Sequence, residues 1–375
     1  MGFIREKLSL AKSGDNSGVG ILFLLFNVLA FLFMAVCASL FKSATHSRGR
    51  SSERITPQST VSKKDYEDIV NGLLRDISFQ RPKFHSDVGL KARVENLLQS
   101  YGLSRNFITD IGPCIKTAIK YASCTYPYAS PAVREAIAVY TTHIVAIDDI
   151  TSDILPDLED YSARLVLGQL HGHELLCSFT KFLGDQSRLF GKFGADMIIK
   201  GTLEYISSAV IEQSQDGAHL SPDASEFLVY FRAKTGIADP FAFMCFPEDM
   251  NPEERDLTKY ISAIPNIGLF LGYVNDLLSF YKEELKEDDC PGFVQNYAKV
   301  HGSTSLQALR QLRHATIKEV RNIRSILADD APTTERINQF IYGYIFYHLS
   351  AGRYRLAELN IPAALEAKGC FQELK

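Results

Sequence analysis

From Asp65 to the C-terminus, apolar residues recur at intervals of three and four almost without a break. No alternating β-branched run bounded by hairpin turns interrupts them, which leaves no candidate strand and predicts an all-α fold. Ser130-Pro131, a cap followed by proline, opens a helix predicted to run to about Asp149. Asn251-Pro252 with Glu254 opens another, and Pro265 predicts a bend inside it. Further helical periods cover roughly 65–78, 87–101, 113–123, 157–183, 190–213, 223–235, 305–328 and 333–359. The lack of a repeat at any fixed period disfavours a solenoid. About ten helices in about 310 residues, several apolar most of the way round, predict a globular bundle with buried central helices over residues 65–375.

The first 64 residues have no such period. Gly18–Phe41 is a run of 24 residues without a charge, with Asn27 its only strongly polar side chain. At about 1.5 Å per residue a helix over it exceeds the roughly 30 Å hydrocarbon core, so a single transmembrane anchor at 18–41 is expected. Val36 and Ala38 would suit a cleaved signal peptide, but the apolar run is longer than such segments carry. Residues 1–17 form the N-terminal segment, and the polar, Ser/Thr/Arg-rich stretch 42–64 reads as a flexible linker. Arg5, Lys7 and Lys12 precede the run and Lys42, Arg48, Arg50 and Arg54 follow it, a bias that points the folded domain toward the cytosol. The seven cysteines are scattered and lack CxxC spacing, which argues against a disulfide framework or zinc site and suits a reducing compartment. A net charge of −4 with no basic arm gives no hint of nucleic acid.

Two acidic stretches need explaining. The helix opened at Ser130 ends in IDDITSD, with Asp148, Asp149 and Asp153 at the negative end of its dipole. Repulsion and desolvation would raise their pKa values unless cations are supplied, although a solvated loop from Asp149 onward is the plain alternative. The second stretch, NDLLSFYKEE, puts Asn275, Ser279 and Glu283 four residues apart on one helix face, between apolar Leu277, Leu278, Phe280 and Tyr281. A helix turning polar as it leaves the core would explain it without a ligand. Oxygen donors in two clusters otherwise describe a hard-cation site, most naturally Mg²⁺, which bridges to substrate phosphates. His171 and His173 in HGHE diverge by about 200° if helical and cannot chelate one ion. His143 reads as a packed or surface histidine.

These motifs resemble those of the fungal trichodiene synthase-like sesquiterpene cyclases, of longiborneol or trichodiene synthase type, which have the class I terpene synthase helical fold. Asn275, Asp276, Ser279 and Glu283 match the family's (N/D)DxxSxxxE metal motif. IDDITSD matches its aspartate-rich motif, with Ser152 in the usual last place and Asp153 following. Arg232 in YFRAKTG lies 43 residues before Asn275, where the family keeps a diphosphate-sensing arginine. Lys282 and the pair Arg353-Tyr354 in GRYRL match its remaining diphosphate contacts. Tyr347 stands where such enzymes usually carry Trp, and Ala351 replaces an Asp. The resemblance runs from about Asp65 to Leu359.

The resemblance implies a sesquiterpene synthase of secondary metabolism, a lyase that ionises farnesyl diphosphate and cyclises the carbocation to a hydrocarbon or alcohol. It implies three Mg²⁺ ions held by Asp148, Asp153, Asn275, Ser279 and Glu283. Arg232, Lys282, Arg353 and Tyr354 bind the diphosphate and assist its departure. Beyond farnesyl diphosphate, the expected partners are a membrane through residues 18–41 and a second copy in a homodimer. Phe231, Phe241, Phe243, Phe270 and Tyr273, adjacent to the motifs, are candidates for the cavity wall. The alternatives are a prenyl diphosphate synthase, a squalene synthase-type enzyme, or a non-catalytic prenyl-diphosphate-binding membrane protein. Alternatively, Arg232 and Arg353 serve only stability, each paired with a nearby carboxylate such as Glu226 or Glu358.

Overall fold

Ten helices of eleven residues or more build the described part of the chain. They are α1 (Lys63–Asp76), α2 (Leu90–Ser100), α3 (Gly112–Thr125), α4 (Pro131–Ile150), α5 (Glu174–Gly184), α6 (Lys192–Ser214), α7 (Ser225–Thr235), α8 (Ile264–Glu283), α9 (Ser305–Ile326) and α10 (Ala331–Ser350). The computed structural model describes residues 61–84, 87–214, 224–285 and 292–370, and among these there is no strand. The expected N-terminal segment, the expected anchor at 18–41 and the linker up to residue 60 lie outside the described residues.

The starts follow local chemistry. Ser62 Oγ accepts from the Asp65 amide (3.1 Å) at the head of α1. Thr304 and Gln307 form a capping box on α9, and the Asp330 side chain accepts from the Thr333 amide on α10. At α6 the cap comes from far along the chain. The Glu253 carboxylate accepts from the amides of Phe193 (3.0 Å) and Gly194 (2.5 Å), satisfying two donors at the positive end of the helix.

Three expected helices are broken. The period at 157–183 resolves into Leu155–Glu159, Tyr161–Val166 and α5, with Gly168 at φ +64° between the last two. His171 and His173 therefore precede α5 instead of riding on it. His173 accepts from the Leu175 amide (3.2 Å) and His171 stacks on Tyr161. Pro265 causes a break, not a bend: the helix Glu253–Tyr260 ends, a 3₁₀ turn follows, and α8 begins with proline in its first turn. The period at 333–359 ends at Ser350 and continues as two 3₁₀ turns.

The middle of the bundle is formed by α4, α8 and α10, whose inward residues Ile137, Val139, Phe270, Leu277, Phe340 and Ile345 are all 0% exposed. Truncating one of these buried rings to alanine costs roughly 3–5 kcal/mol. Three phenols tie the layers through backbone carbonyls: Tyr66 to Leu277 (2.8 Å), Tyr126 to Phe241 (2.8 Å) and Tyr344 to Leu271 (3.0 Å). Gly343 lets α10 lie against α3, since a Cβ there would come 2.0 Å from the Cys124 carbonyl oxygen. Among the described residues, Glu253–Glu283 is long and apolar enough to cross a membrane, but half of its most apolar window is buried inside the bundle.

His143 is wholly buried, its Nδ1 on the Val139 carbonyl (2.9 Å) and its Nε2 on Ser178 Oγ (3.0 Å). Burial pulls its pKa from 6.5 to about 4. The folded pKa lies below the unfolded one, so this contribution is complete above pH 6.5 and is lost as pH falls toward 4. Between those values His143→Gln is expected to gain on the wild type by about 1 kcal/mol per pH unit in unfolding free energy. Denaturant melts of both proteins across that range check it; parallel curves would contradict it.

Candidate active site

One side of α4 carries Thr141, Ile144, Val145 and Asp148, an i, i+3, i+4, i+7 stripe that faces a cavity of about 250 Å³. Arg232, Thr235, Gly236 and Ile237 reach it from the end of α7. Leu271, Gly272, Asn275 and Lys282 reach it from α8, and Tyr344, Tyr347 and His348 from α10. Arg353 and Tyr354 complete it from the turn after α10. On α4 and on α8 the ionic residue comes last in chain order, and after α10 Arg353 comes next to last. Lys282 Nζ and the Arg353 guanidinium both stand over the Tyr354 ring, at 5.2 and 5.5 Å. Lys120 seats this turn by donating to the Ser350 carbonyl (2.7 Å). Ile237, at φ 51°, ends α7 in a left-handed conformation costly for a β-branched residue, and it is held there by burial.

Of the residues expected from sequence, six meet on this wall: Asp148, Arg232, Asn275, Lys282, Arg353 and Tyr354. Asp149 turns the other way and accepts from Cys114 Sγ (3.3 Å). Asp153 is exposed in the turn after α4. Ser279 is buried within α8, and Glu283 is half-buried on its last turn, facing Gly292. Of the aromatic candidates, Phe241 alone lines the cavity; the other rings are Tyr121, Tyr205, Tyr344, Tyr347 and Tyr354. Phe270 packs on Phe340 and Tyr344, while Tyr273 faces Phe293 and Tyr297.

Arg232 is pinned at the centre. Its Nε donates to Asp276 Oδ1 (2.7 Å) and its Nη2 to Asn275 Oδ1 (2.9 Å). Glu226 is engaged with Ser225 (2.6 Å), and Glu358 with Arg355 (2.8 Å), so the local pairings weighed for Arg232 and Arg353 are not the ones formed. Burial lifts the Asp276 carboxyl to about 6 against the pull of Arg232. Sequence reasoning missed His348, which is buried and meets Asn275 Nδ2 at 3.3 Å, 73 residues away in the chain. Burial lowers its pKa to about 3 and keeps the ring neutral. No spacing rule connects such a pair.

The oxygen set fits a hard cation. Buried hydroxyls on these helices ordinarily donate to the carbonyl four residues back, as Thr141, Thr142, Thr151, Thr202 and Thr316 do at 2.7–2.8 Å. Ser279 does not: like Thr125 at the end of α3, its Oγ is buried with no hydrogen-bond partner, and on the motif face of α8 that calls for one. Asp276 Oδ2 is likewise without one. Among the described residues no group of three His, Cys, Asp or Glu forms a metal cluster, so any ion here relies on amide and hydroxyl oxygen as well as carboxylate.

The chain is similar to known proteins. The chain is 35% identical over 311 residues to an (E)-beta farnesene synthase of Metarhizium brunneum, covering 82% of this chain and 94% of that protein. It is 26% identical over 305 residues to a longiborneol synthase of Gibberella zeae, covering 80% and 88%. In structure it resembles the linalool/nerolidol synthase of Streptomyces clavuligerus, with a TM-score of 0.54 at 13% identity, covering 71% of this chain and 97% of that one. That likeness gives the bundle the class I terpene synthase fold. The sequence profile of the trichodiene synthase (TRI5) family matches residues 109–369. The chain therefore belongs to the trichodiene synthase (TRI5) family and is a terpene synthase, a lyase.

Proposed function

We propose that this enzyme is a sesquiterpene synthase that ionises farnesyl diphosphate and cyclises the resulting carbocation within the cavity. The observation that carries the reading is the shared wall on which Arg232, Lys282, Arg353, Asp148 and Asn275 stand beside aromatic and aliphatic side chains. Asp148 from α4, with Asp153 one turn beyond, and Asn275, Ser279 and Glu283 from α8 would hold Mg²⁺, three ions in all. When bound, Mg²⁺ supplies positive charge at the diphosphate oxygens. Arg232, Lys282 and Arg353 grip the same oxygens, and the Tyr354 hydroxyl adds a donor. They favour the developing negative charge as the allylic C–O bond breaks and diphosphate leaves with the bonding electrons. The rings of Tyr121, Phe241, Tyr344 and Tyr347 shield the cation from water and face it with π density.

A second reading has an observation behind it: the 35% identical relative is named for an acyclic olefin. Incubating the full chain with farnesyl diphosphate and Mg²⁺, then analysing volatiles, separates the readings. A cyclic fifteen-carbon product is expected. Farnesene would move the chain to the acyclic reading, a longer or coupled prenyl product to chain elongation or coupling, and intact substrate to a binding protein.

The run Gly18–Phe41 is proposed to anchor the enzyme in a membrane with the catalytic domain in the cytosol. A chain beginning at Ser62 should then stay soluble and as active as the full chain, and the full chain should sediment with membranes. Aggregation or lost activity in the shortened chain would contradict this.

A further inference from the structure

Asn275 has two neighbours that fix which way its amide faces. On one side stands His348, on the other Arg232. His348 Nδ1 lies 2.9 Å from the Tyr344 carbonyl oxygen. A carbonyl can only accept, so Nδ1 carries a hydrogen. A guanidinium can only donate, so Asn275 turns its oxygen to Arg232 and its N–H to Nε2, which leaves Nε2 the acceptor of a neutral ring. The Asn275 Nδ2 group meets Nε2 at 3.3 Å. The other end of the amide, Oδ1, meets the Arg232 Nη2 group at 2.9 Å. A flipped amide would set oxygen against the Nε2 lone pair and N–H against a guanidinium, two repulsions in place of two bonds. The imidazole has no room to turn away: it is 1% exposed and lies between the rings of Tyr344, Tyr347 and Tyr354, at centroid distances of 4.7, 5.3 and 4.6 Å.

We infer that His348 is a positioning residue for the reaction, holding the Asn275 amide nitrogen so that its oxygen stays aimed at the cation and diphosphate side of the cavity. This rests on the reading of Asn275 as a metal-holding residue given above. A side-chain amide freed from its outer partner spends part of its time with the wrong end forward. In metal sites, loss of such an outer partner lowers affinity about 10–100-fold. The inference also gives a reason for an amide at 275: it supplies the hydrogen that a neutral Nε2 accepts, whereas a carboxylate there could be bonded only by a protonated ring.

The test measures binding of inorganic diphosphate to the full chain in Mg²⁺ by calorimetry, with the ligand-free melting temperature recorded beside it. His348→Phe keeps a ring without an acceptor, and His348→Leu serves if phenyl does not fit. His348→Gln returns an acceptor oxygen near the Nε2 position. The apolar variants should bind about tenfold more weakly, the Gln variant within about threefold of wild type, with the ligand-free melting temperatures lowered alike. In an Asn275→Asp background His348→Phe should cost no further affinity, because no amide remains to be held. Wild-type affinity in the apolar variants, equal loss in the Gln and apolar variants, or the same loss in the Asp background would each overturn the inference. A wild-type chain that takes up no diphosphate with Mg²⁺ would instead overturn the metal reading on which it rests.

Discussion

Asp148→Ala is expected to lower turnover by on the order of a hundredfold or more and to raise the Mg²⁺ concentration needed, whereas Asp149→Ala keeps most of its activity. The two side chains differ by about 100° around α4. Asp148 ends the stripe begun by Thr141, Ile144 and Val145 on the cavity wall, and Asp149 accepts from Cys114 on the other side. Both are exposed, so neither variant should disturb the core, and circular dichroism should show unchanged helix. Glu283→Ala, on the facing helix, should behave like Asp148→Ala. Steady-state rates at several Mg²⁺ concentrations decide the matter. Equal losses for the two neighbours, or full activity in Asp148→Ala at ordinary Mg²⁺, would remove the metal assignment.

The larger effect on folding is expected at Arg232. Its partner Asp276 is almost wholly buried, the side chains being 20% and 6% exposed. Arg232→Met leaves that carboxylate without its counter-charge, at a cost of about 3–5 kcal/mol, and removes the proposed diphosphate contact as well. Replacing both partners, Arg232→Met with Asp276→Leu, should restore most of the stability and none of the turnover. Arg232→Lys probes the geometry instead. A point charge can meet Asp276 or Asn275 but cannot span both as the planar fork does, so turnover falls and more aberrant or water-quenched products escape. Arg353→Lys should shift products in the same direction with little change in melting temperature. Melting curves and product profiles on the same variants check both halves. An unchanged profile in Arg232→Lys would leave Arg232 a structural residue only.

What could be read from the chain was what spacing controls. The cap-and-proline signal at Ser130-Pro131 placed α4, and a face repeating at i, i+3, i+4, i+7 put Asp148 on the same side as its apolar neighbours. The stripe on α8 was visible for the same reason. Hydrophobic spacing does not reach outcomes set by backbone conformation or by distant groups. The period at 157–183 was continuous in hydrophobicity, but Gly168 at φ +64° turns the chain out of a helix that the apolar pattern alone would have continued. Of the candidate rings adjacent to the motifs only Phe241 lines the cavity, and most of the others on its wall come from elsewhere, because adjacency in sequence says nothing about how far each helix is rotated in the bundle. Tyr121 on α3 and Tyr344 on α10 share a wall only through packing. Ser279 looked like one more donor; that its hydroxyl forgoes the usual backbone bond could be learned only from coordinates.

At Gly343 the backbone of α10 rests almost on the Cys124 carbonyl of α3, two helices that contribute Tyr344, Tyr347 and Tyr121 to the cavity. The gap between them at this point is thus kept narrow by the absence of one methyl group. Within a lineage descending from this enzyme, product diversity can then arise cheaply by exchanging rings along the wall. A substitution that adds a Cβ at 343 would instead move every ring on that side at once. Gly343 behaves as a gauge that keeps the mould's width constant while its surface is recut.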